Sequence, residues 1–161
     1  TEDEMRTALK SFEGAKRRFD FYIKREDLVL MDDYAHHPDE IKASLNSVRQ
    51  LFAGRHVTVV FQPHLYSRTH DLVEGFAEAL SIPDRTILLP IYPAREQPIQ
   101  GVTSEWLLNM IESNDKRCVM QSELTQCLKS LKDAGKLDVV VMMGAGVDIE
   151  RLLPETVECL G

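Results

Sequence analysis

The sequence predicts an α/β protein with a Rossmann-like, mostly parallel sheet and helices on both of its faces. Short apolar runs alternate with segments whose apolar residues recur at helical spacing, the pattern of consecutive βαβ units. Polar residues follow directly after several of these runs, as at the carboxyl edge of an open sheet. The 161 residues, 43% hydrophobic and 28% charged, are enough for one globular domain. We therefore expect a single domain over residues 1–161.

The first part of the chain predicts a helix, a hairpin and a second helix. Residues 5–12 have the spacing of an amphipathic helix, which should end near Gly14. Residues 19–23 and 27–31 predict two strands of a hairpin, because the segment between them is short and polar. Residues 38–54 predict a helix, with its proline in the first turn and its glycine at the end.

The rest of the chain continues the alternation of strands and helices. Four further strands are predicted from apolar runs, one of which is only three residues long. Each of the first three connections has the apolar spacing of a helix, with a proline-rich loop before the second helix. In order, the predicted elements are strand 56–61, helix 72–80, strand 86–90, helix 106–111, strand 118–120, helix 124–131 and strand 139–143.

Composition excludes several classes of partner. The net charge of -7 argues against a nucleic-acid-binding surface, which needs a basic stripe. No apolar run approaches the roughly 18 residues of a membrane span. Cys118, Cys127 and Cys159 are odd in number and lack metal-ligand spacing, so we expect reduced thiols of a cytoplasmic protein. Because the chain opens on Thr1, we expect a domain excised from a longer polypeptide.

Chemistry-bearing residues collect at four predicted strand ends. The segments concerned are 32–38 (DDYAHHP), 62–69 (QPHLYSRT), 91–96 (IYPARE) and the glycine at 144. The carboxyl ends of parallel strands share one edge of a sheet, so these segments should converge although they lie far apart in sequence. The sequence therefore predicts a ligand site at that edge.

Within the first segment, each residue has a structural and a functional interpretation. Asp33 either caps the next helix or binds ribose hydroxyls or a metal. Adjacent imidazoles point in different directions, so we expect His36 to face the ligand and His37 to cap the helix. Tyr34 is either a rim aromatic or one wall of the ligand pocket.

Arg68 is predicted near the start of a helix, where the helix dipole disfavours a cation. That placement makes sense if Arg68 and nearby backbone N–H groups share an anionic ligand. The alternative is a solvated arginine whose stem lies over the helix.

No complete nucleotide-binding motif occurs in the chain. Gly144, Ala145 and Gly146 form half of a phosphate-binding turn, but Ile149 stands where a third glycine is needed. We expect a tight turn with close helix packing there. Without a P-loop, the main phosphate cradle for any ATP must lie on another domain.

The segments together resemble the C-terminal domain of the Mur ligases. The resemblance rests on residues 14–19 (GAKRRF), 32–41 (DDYAHHPDEI) and 61–69 (FQPHLYSRT), supported by 91–101 and the glycine turn. The second and third of these main segments are specific to the branch that joins L-alanine to UDP-N-acetylmuramate in peptidoglycan synthesis. The ligase that recycles murein tripeptide has a similar Asp-Asp-Tyr segment but a different Gln-Pro-His segment, and it is the alternative within the family.

The resemblance implies a three-domain, ATP-dependent enzyme. An N-terminal domain would bind UDP-N-acetylmuramate, a central ATPase would carry the P-loop and Mg²⁺, and this domain would close over both. The muramate carboxylate becomes an acyl phosphate, which the amine of L-alanine attacks. The resemblance places no catalytic or metal-binding residue on this domain, and alone it should be inactive and bind ATP weakly.

The resemblance also assigns roles to individual residues. Arg18 and Asp33 match positions that hold the ribose and phosphate region of ATP. The remaining matches surround the incoming amino acid, with the arginine suited to its carboxylate. These are Tyr34, His36, His64 and Arg68.

Two departures from the family pattern affect these assignments. Leu65 stands where many relatives carry a second arginine, so the carboxylate of L-alanine should depend more on Arg68 and on backbone donors. Val147 is an extra residue between the glycine turn and Asp148, which puts the contact of that turn in doubt.

Two other classes compete with a ligase domain. A metal phosphohydrolase would use Asp32, Asp33, His36 and His37, but adjacent ligand pairs diverge and suit one metal poorly. A pure interaction domain without a ligand would leave the converging strand ends unexplained.

Overall fold

A computed structural model describes residues 16–161 and confirms the predicted Rossmann-like α/β architecture. The predicted helix over residues 5–12 and its end at Gly14 lie outside the described residues. The elements, in chain order, are β1 (Asp20–Lys24), β2 (Val29–Asp33), α1 (Pro38–Leu51), β3 (Val57–Phe61), α2 (Tyr66–Asp71), α3 (Val73–Leu80), β4 (Arg85–Leu88), α4 (Ser104–Met110), β5 (Lys116–Cys118), α5 (Gln121–Asp133), β6 (Val139–Met143) and α6 (Val147–Leu160).

The six strands form one sheet in the order β1-β2-β6-β3-β4-β5. The predicted hairpin is present, since β1 pairs with β2 antiparallel, and every other neighbouring pair is parallel. Strand β6 therefore lies in the middle of the sheet, between β2 and β3. Parallel strands buried on both faces need apolar side chains in both directions, which explains the continuous run Val139–Met143.

Two hydrophobic cores lie on opposite faces of the sheet. One face packs against α1, α3 and α4, through residues such as Ile41, Phe76 and Leu107. The other packs against α5 and α6, through Leu124 and Ile149 among others. Helices on both faces leave the carboxyl edge of the sheet as the place where loops gather.

The structure differs from the predicted elements mainly around α2. This helix was not predicted, because its preceding residue, Leu65, has no capping side chain to announce a helix start. A break at Leu72 separates it from the predicted helix, here α3. The short strand 118–120 lies instead at Lys116–Cys118, and α6 continues the chain after the glycine turn. Among residues 16–161 no helix is both long and apolar enough to cross a membrane.

Candidate functional site at the carboxyl edge of the sheet

Four parallel strands end level with one another, and this alignment builds the site. Asp33 of β2 pairs with Met143 of β6, Met143 also pairs with Phe61 of β3, and Phe61 pairs with Leu88 of β4. The residues that follow each strand therefore emerge side by side, at the edge where open α/β sheets bind ligands. The predicted convergence of the strand-end segments is confirmed.

Asp33 is buried and forms three hydrogen bonds with its surroundings. Its Oδ1 accepts from the backbone N–H of Ala35 at 2.9 Å, and its Oδ2 from Ser44 Oγ at 3.0 Å and Phe19 N–H at 3.3 Å. The carboxylate thus ties β2 to the interior of α1 and to the segment before β1. Asp33 does not cap α1, so that alternative is wrong.

His37 caps α1, as predicted. Its Nδ1 accepts from the N–H of Asp39 at 3.4 Å. Glu40 Oε2 accepts from the backbone N–H groups of His36 and His37 at 3.2 and 3.3 Å. The first of these bonds is the main cause that lowers the pKa of Glu40, in spite of partial burial. The two adjacent histidines therefore differ in role: His37 caps α1, and the ring of His36 does not take part in the cap.

A cleft beside β2, which we call the β2 cleft, has a volume of about 320 Å³. Arg18 and Asp33 both line it, so the two residues predicted for ATP share one recess. Tyr34 forms a further part of its wall, and Ala43 and Ser47 of α1 close its other side. The cleft combines an exposed guanidinium with a carboxylate that is already fixed by hydrogen bonds.

Arg17, next to the predicted Arg18, makes the main structural contacts of this region. Its guanidinium pairs with Asp32, with Nε to Oδ2 at 2.9 Å, and donates to the carbonyl of Gly144 at 2.7 Å. It also lies 5.2 Å from the centre of the Tyr34 ring. Burial raises the pKa of Asp32, and the hydrogen bond from Arg17 opposes that rise. Sequence reasoning missed this role, because nothing in a run of three basic residues shows which one turns inward.

Tyr34 connects the β2 cleft to His36, which does not line it. Its exposed ring packs edge-on against His36, with ring centres 5.2 Å apart. His36 Nδ1 lies 3.0 Å from the carbonyl oxygen of Tyr34. Tyr34 therefore lies where the two predicted parts of the site meet.

His64 and Arg68, which follow β3, form another pair of neighbouring polar residues. His64 Nδ1 lies 3.4 Å from Nη1 of Arg68, and the imidazole stacks on Tyr92 with ring centres 5.5 Å apart. A guanidinium can only donate, so a hydrogen bond between the two uses Nδ1 as the acceptor and goes with a ring proton on Nε2. Burial, then the positive charges of Arg68 and His36, lower the pKa of His64. These causes favour the neutral imidazole beside the guanidinium of Arg68.

The backbone N–H of Ser67, at the start of α2, is occupied by the protein itself. Glu96, from the loop after β4, accepts from the N–H of Ser67 at 3.0 Å and also from its hydroxyl. These two bonds, in the order hydroxyl then backbone, are the chief causes that hold the pKa of Glu96 below its usual range. The N–H of Ser67 is therefore not free to join Arg68 in binding an anion, as the sequence predicted for the backbone donors near Arg68. Sequence reasoning missed this role of Glu96, because the helix start that it stabilises lies 29 residues earlier in the chain.

The glycine turn after β6 is a close-packing device, as predicted. A Cβ on Gly146 would lie 2.3 Å from Oε1 of Gln62, and one on Gly144 would lie 2.9 Å from the Gln62 carbonyl oxygen. Gln62 is fully buried and donates to Asp148 Oδ2 at 2.7 Å. Gln121 donates to the same oxygen at 3.0 Å. Asp148, which follows the extra Val147, thus holds side chains within the protein.

Taken together, the edge of the sheet offers donors for an anion beside a cleft with mixed charge. Of the predicted residues, Tyr34 packs against His36, His64 lies beside Arg68, and Arg18 and Asp33 line the β2 cleft together with Tyr34. Within residues 16–161, no group of three or more His, Cys, Asp or Glu side chains is arranged to hold a metal ion. The three cysteines are free, and burial followed by the charge of Glu105 raises the pKa of Cys118 to about 11.

Sequence comparison identifies relatives of known type. The chain is 48% identical over 151 residues to a UDP-N-acetylmuramate–L-alanine ligase of Cytophaga hutchinsonii, covering 94% of this chain and 31% of the relative. It is 46% identical over 153 residues to the enzyme of the same name from Porphyromonas gingivalis, covering 95% and 33%. The chain therefore spans about a third of the length of these relatives. None of them carries the name of the tripeptide-recycling ligase or of a phosphohydrolase.

Solved structures have the same architecture. A UDP-N-acetylmuramate–alanine ligase from Thermotoga maritima matches with a TM-score of 0.70 and 26% identity, covering 94% of this chain and 31% of that one. A murein peptide ligase from Psychrobacter arcticus matches with a TM-score of 0.69, covering 96% and 32%. Its 22% identity shows only a common fold.

The family match covers most of the described residues. A sequence model described as "Mur ligase, glutamate ligase domain" matches residues 17–146, from Arg17 to the end of the glycine turn. This range contains the β2 cleft and the His64–Arg68 pair. The chain therefore belongs to the Mur ligase family and carries its glutamate ligase domain.

Proposed function

We propose that the chain is the C-terminal domain of a three-domain, ATP-dependent ligase that joins L-alanine to UDP-N-acetylmuramate in peptidoglycan synthesis. The observation that carries the proposal is the His64–Arg68 pair beside the β2 cleft. It is supported by relatives of that name at 46–48% identity over nearly the whole chain.

The first step of the argument concerns the amino acid. A free amino acid carries a carboxylate, and planar guanidinium groups recognise carboxylates through two parallel hydrogen bonds. Arg68 supplies the cation, and the Nε2–H of His64 supplies a neutral donor at its side. The rings of Tyr34 and His36 would then border the small side chain of L-alanine.

The second step concerns ATP. In the β2 cleft, Asp33 Oδ1 accepts one hydrogen bond and retains acceptor capacity for a ribose hydroxyl, and exposed Arg18 can reach a phosphate. When bound, ATP with Mg²⁺ would supply the phosphoryl group that activates the muramate carboxylate. The residues described here would orient nucleotide and amine, while the phosphate cradle, the Mg²⁺ ligands and the UDP-sugar pocket would belong to the N-terminal and central domains. We place the enzyme in the cytoplasm, in keeping with three free thiols.

Arg68→Ala in the full-length ligase tests the assignment of the amino acid. Losing a charge-assisted pair costs about 2–5 kcal/mol when the partner charge is buried, which is roughly a thirtyfold or larger rise in the KM for alanine. The KM values for ATP and UDP-N-acetylmuramate should change far less. Arg68→Lys should recover only part of the loss, because an ammonium cannot form the two-pronged contact.

The matched control for that experiment is Arg151→Ala. Arg151 is an exposed arginine of α6 that does not line the β2 cleft, and its loss should leave all three KM values unchanged. If Arg68→Ala also left the KM for alanine unchanged, the carboxylate would have to bind elsewhere and Arg68 would be a surface residue.

An interaction domain without a ligand of its own is the remaining competitor, and reconstitution distinguishes the two. Mixing this chain with the N-terminal and central domains should restore alanine-dependent release of ADP. A complex that forms without such turnover would favour the interaction domain.

A further inference from the structure

The short helix α2 lacks the local features that stabilise a helix start. Its N-cap residue, Leu65, makes no side-chain capping bond and has a φ of 74°, in the left-handed region that a branched side chain disfavours. The first turn contains no acidic residue, and it does contain Arg68. A six-residue helix with these features would not form by itself, so contacts from elsewhere must hold it.

Glu96 supplies the missing cap from the loop that follows β4. Its carboxylate accepts from both the backbone N–H and the hydroxyl of Ser67, the second residue of α2. The negative charge lies at the positive end of the helix, where it is favourable. The same loop is joined to the segment before α2 by two backbone bonds, Leu65 N–H to Tyr92 O at 2.9 Å and Tyr92 N–H to Pro63 O at 2.8 Å.

These contacts bear directly on the His64–Arg68 pair. His64 precedes α2, Arg68 lies in its first turn, and Ser67, the residue that Glu96 holds, is adjacent to Arg68. If the first turn unwinds, the guanidinium and the imidazole lose their fixed relative position. A carboxylate ligand would then have to order both side chains at the cost of binding energy.

We propose that Glu96 is a positioning residue, which holds α2 wound so that Arg68 and His64 bind the carboxylate of the incoming amino acid. Glu96 itself contacts the helix and not the substrate. The inference rests on the proposed function for its kinetic consequence, but its structural part applies to the chain alone. A competing account is that the charge of Glu96 merely weakens the attraction of Arg68 for anions.

Four variants separate these accounts. Glu96→Ala removes both bonds to Ser67. Glu96→Gln keeps them, since its carbonyl oxygen can accept from the N–H and its amide can donate to the hydroxyl, but it removes the charge. Ser67→Ala removes only the hydroxyl bond. Glu155→Ala changes an exposed glutamate of α6 and serves as the control.

The first measurement uses the chain alone and does not depend on any activity. Amide hydrogen exchange over residues 66–71 should be about tenfold or more faster in Glu96→Ala, the effect expected from losing hydrogen bonds to a charged group. Ser67→Ala should be intermediate, and Glu155→Ala should match the unchanged chain. Glu96→Gln keeps both bonds but loses the charge, so its exchange should be closer to that of the unchanged chain than to that of Glu96→Ala. Unchanged protection in Glu96→Ala would overturn the proposal.

The second measurement is kinetic and uses the full-length ligase. Glu96→Ala should raise the KM for alanine about tenfold with the KM for ATP unchanged, and Glu96→Gln should restore a value near that of the parent enzyme. A KM for alanine that falls below the parent value in Glu96→Gln would support the charge account and overturn positioning. A parent enzyme without alanine-dependent turnover would refute the proposed function, while the exchange result would still decide the role of Glu96.

Discussion

At the scale of single residues, the surroundings of His64 determine how readily its imidazole becomes charged. Burial disfavours the charged imidazole, and Arg68 and His36 add repulsion, so the pKa of His64 lies below 6.5. A histidine with a lowered pKa binds fewer protons in the folded state than in the unfolded state between the two pKa values. Its contribution to stability is therefore present above pH 6.5 and is lost as the pH falls below that value.

We predict that Arg68→Ala raises the pKa of His64 without restoring it to 6.5. The variant removes the repulsion from Arg68, while burial, the larger cause, remains. Following the His64 ring signals by NMR as a function of pH measures the change directly. Arg151→Ala is the control and should leave the titration of His64 where it was. An unmoved midpoint in Arg68→Ala would mean that the two side chains do not interact in solution.

Asp33 and Arg17 show why the sequence predicted the site only in part. A carboxylate at a strand end was correctly placed at the carboxyl edge of the sheet, because alternation of strands and helices is enough to locate that edge. Its three hydrogen-bond donors come from residues 2 to 14 positions away, and no local pattern marks them. Arg17 turns inward through a backbone φ of 59°, which sequence does not reveal.

At the scale of elements, the junction between β6 and α6 depends on the fit between Gly146 and Gln62. The side-chain amide of Gln62 is held by Asp148 and by the carbonyl of Pro90, so it cannot move aside freely. An added methyl group on Gly146 would meet Oε1 of Gln62 at 2.3 Å. Position 146 is therefore limited by space and not by a left-handed backbone, since Gly146 has a φ of -68°.

We predict that Gly146→Ala lowers the free energy of unfolding by about 1–3 kcal/mol, the usual cost of overpacking. Gln62→Ala alone should also destabilise the fold, because Asp148 loses a donor. In the double variant the clash is gone, so the combined loss should be smaller than the sum of the two single losses. Urea unfolding of the four proteins measures this coupling. Strictly additive losses would show that the added methyl group does not meet Gln62.

The elements themselves were predictable to different degrees. The buried strand Val139–Met143 was predicted to the residue, because five consecutive apolar residues leave little choice. Helix α2 escaped prediction, because its cap, Glu96, lies 29 residues after Ser67. A helix stabilised by distant contacts carries almost no signal of its own, and here that helix bears Arg68.

At the scale of the whole molecule, the chain should be able to bind ATP only weakly and should not hydrolyse it. The motivation is the missing P-loop, since backbone donors of such loops supply much of the affinity for phosphates. Calorimetry of the chain with ATP and Mg²⁺ should show no sub-micromolar binding, and no phosphate should be released. Tight binding would place a phosphate cradle on this chain and revise the division of labour among the three domains.

The position of β6 in the sheet has a consequence for how the molecule folds. The central strand is the last of the six to leave the ribosome, yet both β2 and β3 pair with it. Until β6 is available, one edge of β2 and one edge of β3 have unpaired backbone groups and can pair with other chains. The pairing of β2 with β6 also requires closure of a loop of more than a hundred residues. We expect slow, late sheet closure, in which pulse-labelled amides of β6 become protected in the last kinetic phase, after β1 has paired with β2 and β3 with β4. Protection of β6 before these two pairs form would contradict it. A nascent chain in that state would be vulnerable to aggregation until β6 has been synthesised and has paired with β2 and β3.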